Sequence, residues 1–453
     1  MRRLIGSGRD SQGTHRSSPK GGGRTRACQI FEVRLVAKRV PCKNKRGVDQ
    51  GSSMNAFAAI VFASLLSRLG YQMARSPVLP AFAADLGALP EFIGVIVAAS
   101  TVTGVFFKLP SGALSDVLGR KRMMVLGALF FALPPFLYPF VGNPWSLLTL
   151  RFVHGFATAI FSPVAAAYVA SLAETGRGAR LGWFSSGNDI GATAGPLIGG
   201  FVLFFSASYA VTYLLVGAIG VLTLLVVVWL PDVDRPSDRQ VTTFAARAAE
   251  FREGLAEVVA TPPILIAAGI EAVMYLGYGA FLGFLPIYAK TVGLNDAEIA
   301  IVLGSQLATA VVAKPIGGRL SDRLGRKPVI VIGLLLCAAA LPLIFRSEDF
   351  VTFVIVAPIL GLGIAAVTPV TNALIADLAS ARRLGAAMGV FGTIWDIGEA
   401  AGPIIAGFLI GGLGYASTFD TLALLTVAVS VSVMFLVRDP KTAMAAQHPS
   451  ARQ

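Results

Sequence analysis

Histidine and cysteine are rare in this chain, which has three of each in 453 residues. Cys28, Cys42 and Cys337 lie at no spacing typical of a zinc site or of a disulfide framework. The apolar segments contain no His/Glu metal-binding pattern and no nucleophile beside a base, and the chain has no Walker-type glycine loop. These absences argue against an enzyme and against an ATP-driven machine, and they indicate no metal and no cofactor.

Charged residues are also scarce, at 14% of the sequence, whereas 55% is hydrophobic and 49 residues are glycine. This composition excludes an ordinary soluble domain and indicates a protein embedded in a lipid bilayer. The formal net charge is +13, but residues 1–53 contain 13 Lys and Arg against three acids, which leaves 13 − 10 = +3 for the rest. The basic excess therefore belongs to the N-terminal tail, and we expect no nucleic-acid partner.

Residues 1–53 are rich in Arg, Gly and Ser and have neither a long apolar stretch nor helical periodicity, so we expect a disordered basic tail. Met54 opens the first hydrophobic segment. Two interpretations of the tail are open: an upstream extension of a protein that begins at Met54, and a transit peptide.

Twelve apolar segments of about 20 residues or more follow, each long enough to cross a bilayer. They predict an all-α membrane protein made of two six-helix bundles, the first over residues 54–230 and the second over 263–437. Residues 231–262 form the predicted central loop, and residues 438–453 form a C-terminal tail.

Lys and Arg collect in alternate loops, on the same side as both termini. By the positive-inside rule, this distribution places both termini and the central loop in the cytoplasm. The expected location is the cell (inner) membrane, with the bilayer as the surrounding partner.

The two halves repeat each other. The charged decapeptide GALSDVLGRK of residues 112–121 recurs as GRLSDRLGRK at 318–327, and Lys108 and Lys314 are likewise 206 residues apart. DIGATAGPLIGGF, which begins at Asp189, recurs as DIGEAAGPIIAGF at Asp396. A repeat of this period predicts two bundles related by a pseudo-twofold axis along the membrane normal, with a binding site between them near the midplane.

These motifs resemble those of the major facilitator superfamily. The family's loop signature is similar to Gly112, Asp116, Gly119, Arg120 and Lys121, and again to Gly318, Asp322, Gly325, Arg326 and Lys327. Its fourth-helix pattern resembles Arg151 followed by Gly155, and its fifth-helix antiporter pattern is matched by Gly191, Gly195, Pro196, Gly199 and Gly200.

The resemblance implies a transporter of the drug or metabolite:proton antiporter type. It also implies a cytoplasmic latch, in which the loop arginines pair with an acid at the end of the fourth helix of each half. Glu174 and Asp377 stand at those places. The alternative is that the loop's basic residues serve only as topology signals.

Ionisable residues inside the spans are costly, at about 2.5–3.5 kcal/mol each at the bilayer centre, and therefore indicate a cavity or a partner. We expect seven of them to line or support the proton and substrate site: Arg75, Arg151, His154, Asp189, Glu271, Asp396 and Glu399. Glu271 and Glu399 have no acidic counterpart at the matching positions of the first half, and Glu271 is the first candidate for the proton carrier. As alternatives, Arg75 and Asp189 form a structural ion pair, and His154 is a hydrogen-bonded core residue.

Tyr275 and Tyr278 follow Glu271 at helical spacing, which is typical of a pocket for amphipathic or cationic compounds. The alternative is an aromatic stripe that faces lipid or packs against a neighbouring helix. We therefore predict a monomeric exporter of a small amphipathic molecule, exchanged for protons. A symporter or uniporter of the same fold and a non-transporting receptor are the alternatives.

Overall fold

The computed structural model describes residues 50–172, 177–232, 244–378 and 384–436, and all of the regular structure in these ranges is helical. The first seven α-helices are α1 (Gln50–Arg75), α2 (Val78–Asp85), α3 (Pro90–Leu118), α4 (Arg120–Ala132), α5 (Pro144–Ser171), α6 (Arg177–Ser206) and α7 (Tyr209–Trp229). A short 3₁₀ helix, Pro134–Phe140, extends α4. The remaining helices are α8 (Phe244–Ala260), α9 (Pro262–Thr291), α10 (Asp296–Leu324), α11 (Arg326–Ile344), α12 (Phe350–Leu378) and α13 (Leu384–Leu436).

Eleven helical segments of the described residues are long and apolar enough to cross a membrane. The last of them, Ala387–Phe435, covers 49 residues, about twice the length that one span needs. Gly414 interrupts it with φ 75° and ψ 174°, so α13 consists of two helices joined at this glycine. The prediction of an all-α membrane fold is confirmed, and the count of twelve spans depends on this division of α13.

Local sequence signals explain where several helices begin. The side chain of Asn143 accepts a hydrogen bond from the Ser146 amide at 2.9 Å at the start of α5. Asn295 and Glu298 form a reciprocal capping box at the start of α10. Asp349 accepts hydrogen bonds from the backbone and hydroxyl of Thr352 at the start of α12. These caps satisfy backbone amides that have no partner within their helix.

The helices pack as two halves. In the first half, α1 contacts α6 and α7, and α5 contacts α3 and α4. In the second half, α9 contacts the first part of α13, and α12 contacts α10 and α11. Helix α9 also contacts α2 and α3, but the main contacts between the halves are made by two helix pairs, α3 with α13 and α6 with α10. Exchanging the halves converts one of these pairs into the other, as the sequence repeat requires.

The decapeptides occupy equivalent turns in the two halves. Gly119 ends α3 with φ 99°, and Gly325 ends α10 with φ 96°. Glycine is favoured at both positions because a side chain is strained at positive φ. We call the membrane side that carries these two turns the decapeptide face and the other side the opposite face.

One element differs from the sequence analysis, which assigned residues 231–262 to a loop. Helix α8 occupies Phe244–Ala260 and contacts α3, α9 and α13. Its sequence is rich in Ala, Glu and Arg, which favour helix, but a search for apolar spans does not detect a segment this polar. The predicted tails at 1–53 and 438–453 lie almost wholly outside the described residues.

Candidate functional site

The halves are in close contact near the opposite face. Gly94 of α3 lies against the backbone of Pro403 in α13, and a Cβ atom at Gly407 would lie 2.5 Å from the carbonyl oxygen of Pro90. The other helix pair repeats this arrangement, with Gly200 of α6 against Ala300 of α10. No side chain fits between the backbones at these points, so this end of the interface is closed.

Near the decapeptide face, the described residues on the same faces of α3, α13, α6 and α10 do not contact each other. An 18-residue step along a helix is five turns and returns to the same face. Taken toward the decapeptide face, this step leads from Gly94 to Gly112, from Gly407 to Gly389, from Gly200 to Gly182 and from Ala300 to Gly318. A Cβ atom added at any of these four glycines would have no described neighbour within 4 Å. The halves therefore separate toward the decapeptide face and leave a cleft that opens on that side.

Two ion pairs join the halves at the depth where the close contacts end. The Nζ atom of Lys108 in α3 lies 2.5 Å from Oδ2 of Asp396 in α13. Its counterpart joins Lys314 in α10 to Asp189 in α6 at 3.6 Å. Within each pair, the lysine belongs to one half of the protein and its aspartate to the other half.

A third ion pair is more deeply buried. Arg75 of α1 lies 2.6 Å from Oε1 of Glu399 in α13, and their side chains are 8% and 11% exposed. This corrects the alternative that paired Arg75 with Asp189, because Asp189 contacts Lys314 instead. The sequence could not distinguish these pairings, since each candidate acid lies at a similar depth in its helix.

Glu271 forms no salt bridge among the described residues, and Lys314, which acts on it from a longer distance, is paired with Asp189. It is 1% exposed in α9, and the hydroxyl of Thr371 in α12 lies within hydrogen-bonding distance of its Oε1 atom. Its Oε2 atom is buried without a hydrogen-bond partner in the described structure. A buried carboxylate without a cation is costly, and binding a proton would remove its charge.

The aromatic residues after Glu271 pack against the neighbouring helix. Tyr275 is 7% exposed, and its ring centroid lies 4.6 Å from that of Trp395 in α13. Tyr278 approaches Tyr275 edge to face at 5.8 Å. The part of this stripe next to Glu271 therefore lies inside the protein and does not face lipid.

Arg151 and His154 lie in a separate cluster within the first half. Both are 0% exposed. The guanidinium carbon of Arg151 lies 4.9 Å from the ring centre of Tyr71, a cation–π contact, and its nitrogens have no described hydrogen-bond partner. His154 lies 3.3 Å from the hydroxyl of Tyr138 through its Nδ1 atom. This histidine is a buried core residue with one hydrogen bond, and its Nε2 atom has no hydrogen-bond partner in the described structure.

The second copy of the decapeptide forms a compact ionic cluster. Arg326 donates hydrogen bonds to Asp322 at 3.1 Å and to Asp377 at 3.3 Å, and it also contacts Ser321 at 2.8 Å. It thereby links the loop to the end of α12. In the first copy, Glu174 and the side chain of Asp116 lie outside the described residues.

The glycine motif of α6 packs mainly against α1. Cβ atoms at Gly191, Gly195 and Gly199 would lie 2.5, 2.7 and 2.9 Å from atoms of the α1 backbone. Pro196 lies inside the helix among them, and Gly200 turns toward α10 of the other half. The motif therefore serves close packing within the first half at three positions and contact between the halves at one.

Four residues of the site were absent from the predicted set: Lys108, Lys314, Thr371 and Trp395. The repeat spacing of the two lysines was a usable signal, because charged residues conserved between the copies inside a span require partners. For the threonine and the tryptophan, the sequence offers no comparable signal.

Comparisons with known proteins identify the family. The sequence profile of the Major Facilitator Superfamily matches residues 60–272 and 267–452. An uncharacterised MFS-type transporter of Methanocaldococcus jannaschii is 25% identical over 366 residues, covering 79% of this chain and 92% of the relative. The quinolone resistance protein NorA of Staphylococcus aureus is 24% identical over 337 residues, covering 74% of this chain and 84% of NorA.

Solved structures agree on the fold. A bacterial homologue of the human lysosomal transporter Spinster, in an inward-facing and unoccupied conformation, superimposes with a TM-score of 0.70 at 15% identity, covering 85% of this chain and 96% of the homologue. The nucleoside transporter NupG gives a TM-score of 0.66 at 15% identity, covering 84% of this chain and 99% of NupG. The profile match across nearly all of the helical region and these shared folds show that the chain is a multi-pass membrane transporter of the Major Facilitator Superfamily.

Proposed function

We propose that this transporter exports a small amphipathic molecule in exchange for protons, with Glu271 as the proton carrier. The observation that supports the role of Glu271 is its isolation. Asp189, Asp396 and Glu399 each face a base within 4 Å, whereas Glu271 is buried beside a hydroxyl with no base that close among the described residues. A group that must carry a proton in one step and lose it in another cannot be held permanently by a salt bridge.

The remaining polar residues take supporting roles in this proposal. Arg75 and Glu399 hold α1 against α13 beside the site. Tyr275 and Tyr278 provide aromatic surface next to Glu271, which suits an amphipathic or cationic cargo. Arg151 and His154 set the electrostatics of the first half from their buried cluster.

The two decapeptides act as latches on the decapeptide face in this mechanism. The second latch consists of Gly318, Asp322, Gly325, Arg326 and Lys327, with Asp377 as the acid that Arg326 contacts. The first consists of the equivalent residues from Gly112 to Lys121, with Glu174 in the place of Asp377. Breaking and remaking these contacts would accompany the closure of the cleft.

Two observations favour export over uptake. The relative NorA is named for drug resistance, and the fifth-helix glycine motif of antiporters is complete in α6. By the positive-inside rule, the basic loops support an orientation in which the decapeptide face, both termini and the open cleft lie in the cytoplasm of a cell whose inner membrane holds the transporter. In this orientation, the open cleft of a single monomer would accept cargo from inside the cell.

The proton gradient is sufficient for this work. One charge that moves through about 100 mV releases about 2.3 kcal/mol, and one pH unit adds about 1.36 kcal/mol. One proton could therefore sustain roughly a 500-fold gradient of a neutral solute.

The test uses purified transporter in liposomes with an acidic lumen and a neutral exterior. The cargo probes are a fluoroquinolone and a fluorescent lipophilic cation. An antiporter accumulates the probe inside as protons leave, whichever way each molecule is inserted. Accumulation only when the exterior is acidic would instead establish symport, and equilibration of the probe at the same rate with or without a gradient would establish a uniporter.

The role of Glu271 is tested in the same vesicles. Glu271→Gln mimics the protonated acid and should abolish accumulation driven by the gradient while retaining exchange of labelled for unlabelled probe. Glu348→Gln, which changes an exposed acid in the loop before α12, is the matched control and should retain both activities. Full accumulation by Glu271→Gln would transfer the carrier role to another acid.

A further inference from the structure

The two lysine–aspartate pairs are equivalent under the internal repeat. Lys108 and Lys314 are 206 residues apart, and their partners Asp396 and Asp189 are 207 apart. Each lysine reaches across the interface, from α3 to α13 and from α10 to α6. A single chance contact would not be reproduced at the equivalent place in the other half, so the arrangement indicates a shared task.

Their depth suggests what that task is. Each lysine lies ten residues before the end of its helix at the decapeptide face, or ~15 Å from that end at the rise of an α-helix. Beyond them toward the opposite face, the helix pairs touch backbone to backbone, and beyond them toward the decapeptide face, the glycines have no described neighbours. Both pairs therefore lie at the boundary between the closed part of the interface and the open cleft.

We propose that Lys108–Asp396 and Lys314–Asp189 are a matched pair of ties that keep the opposite face closed, and that both must break before that face opens. The lysines are 40% and 35% exposed, so water in the cleft reaches the ties and makes them breakable. The flexible lysine side chain also tolerates small changes in the separation of the halves. This inference shares with the proposed function only the assumption that the two halves move relative to each other. It does not depend on the direction of transport.

The test measures how often the opposite face opens, without cargo or a proton gradient. Val97 of α3 is 1% exposed and lies near Gly283 of α9 in the other half. In a background without the native cysteines, Val97→Cys should react with a water-soluble maleimide only when the halves part. Because the labelling rate then follows the population of the minor open state, it reports the equilibrium directly.

Lys108→Gln and Lys314→Gln should each raise this labelling rate about five-fold, the effect of losing a partly exposed ion pair worth about 1 kcal/mol. The two changes together should raise it about 25-fold, because the ties are distant and independent. The exchange Lys108→Asp with Asp396→Lys should return the rate close to that of the parent. Unchanged rates, a response to only one lysine, or failure of the exchange to restore the rate would each overturn the proposal.

Two controls separate a tie from a general loosening of the fold. Lys290→Gln removes a 3.0 Å ion pair with Asp296 in which Lys290 is 34% exposed, but both partners belong to the second half, so the labelling rate should not change. Ala128→Cys places a second reporter in the core of the first half, where the alanine is 0% exposed. If the lysine variants accelerate labelling at this position as well, the ties proposal is wrong. Loss of transport by Glu271→Gln leaves this result unaffected, so the two proposals fail separately.

Discussion

Neutralising Glu399 is expected to destabilise the protein strongly, because it leaves the guanidinium of Arg75 buried without a counter-charge. The two groups are 2.6 Å apart, and their side chains are 8% and 11% exposed. Removing one partner of such a buried pair costs about 3–5 kcal/mol. At about 2 °C of unfolding temperature for each kcal/mol in a large chain, Glu399→Gln should unfold about 6–10 °C below the parent.

The assay is thermal unfolding in detergent followed by far-ultraviolet circular dichroism. The matched control is Asp420→Asn, which removes an ion pair with Arg346 of similar length, 2.5 Å, but with side chains 41% and 47% exposed. An exposed pair contributes about 0.2–1 kcal/mol, so the control should shift by about 2 °C or less.

The double variant Arg75→Met with Glu399→Met decides whether the cost comes from the unpaired charge. Apolar replacement of both partners removes the buried charges together, so most of the lost stability should return. A shift for Glu399→Gln as small as that of Asp420→Asn would refute the reasoning. A double variant as unstable as the sum of the single variants would refute it too.

Three further predictions concern packing, protonation and the latch. Gly407→Ala should slow transport, because its new methyl group would lie 2.5 Å from a carbonyl oxygen at the start of α3. The control Gly412→Ala meets no described neighbour within 4 Å and should transport at the normal rate. Equal transport rates for the two variants would contradict the packing argument. Hydrogen bonds from the hydroxyl and backbone amide of Thr352 hold the pKa of Asp349 below its usual 3.8. The contribution of Asp349 to stability is therefore complete above pH 3.8 and is lost as the pH falls through the lowered pKa. The unfolding temperature of Asp349→Ala should therefore lie below that of the parent at neutral pH and approach it in acid, and a gap that is constant with pH would refute this. Asp377→Asn should reduce the transport rate of folded protein by removing the acid that Arg326 contacts at 3.3 Å, and an unchanged rate would exclude a latch there.

The sequence predicted the membrane class and the helices because these depend on local properties. An apolar run long enough to cross a bilayer is visible in the sequence without any knowledge of tertiary contacts. The missed helix α8 shows the limit of that approach, since a polar segment with high helix propensity carries no hydropathy signal.

The partners within the site were harder to predict, because they depend on how one half is placed against the other. Arg75 could pair with either Asp189 or Glu399 by depth alone, and only the three-dimensional structure, in which Arg75 lies 2.6 Å from Glu399, selects between them. Lys108 was visible as one half of a repeat, but its partner belongs to the other half of the chain. A repeat shows which residues are equivalent, and it does not show which of them meet.

Two of the buried charged side chains in the described structure have no ion-pair partner, and they lie in different halves. Arg151 of the first half rests on an aromatic ring, and Glu271 of the second half contacts a hydroxyl. While Glu271 is ionised, these two buried charges are equal and opposite. In the proposed mechanism, a proton bound at Glu271 would leave the charge of Arg151 without this opposite charge, so a positively charged cargo would be held less strongly than before.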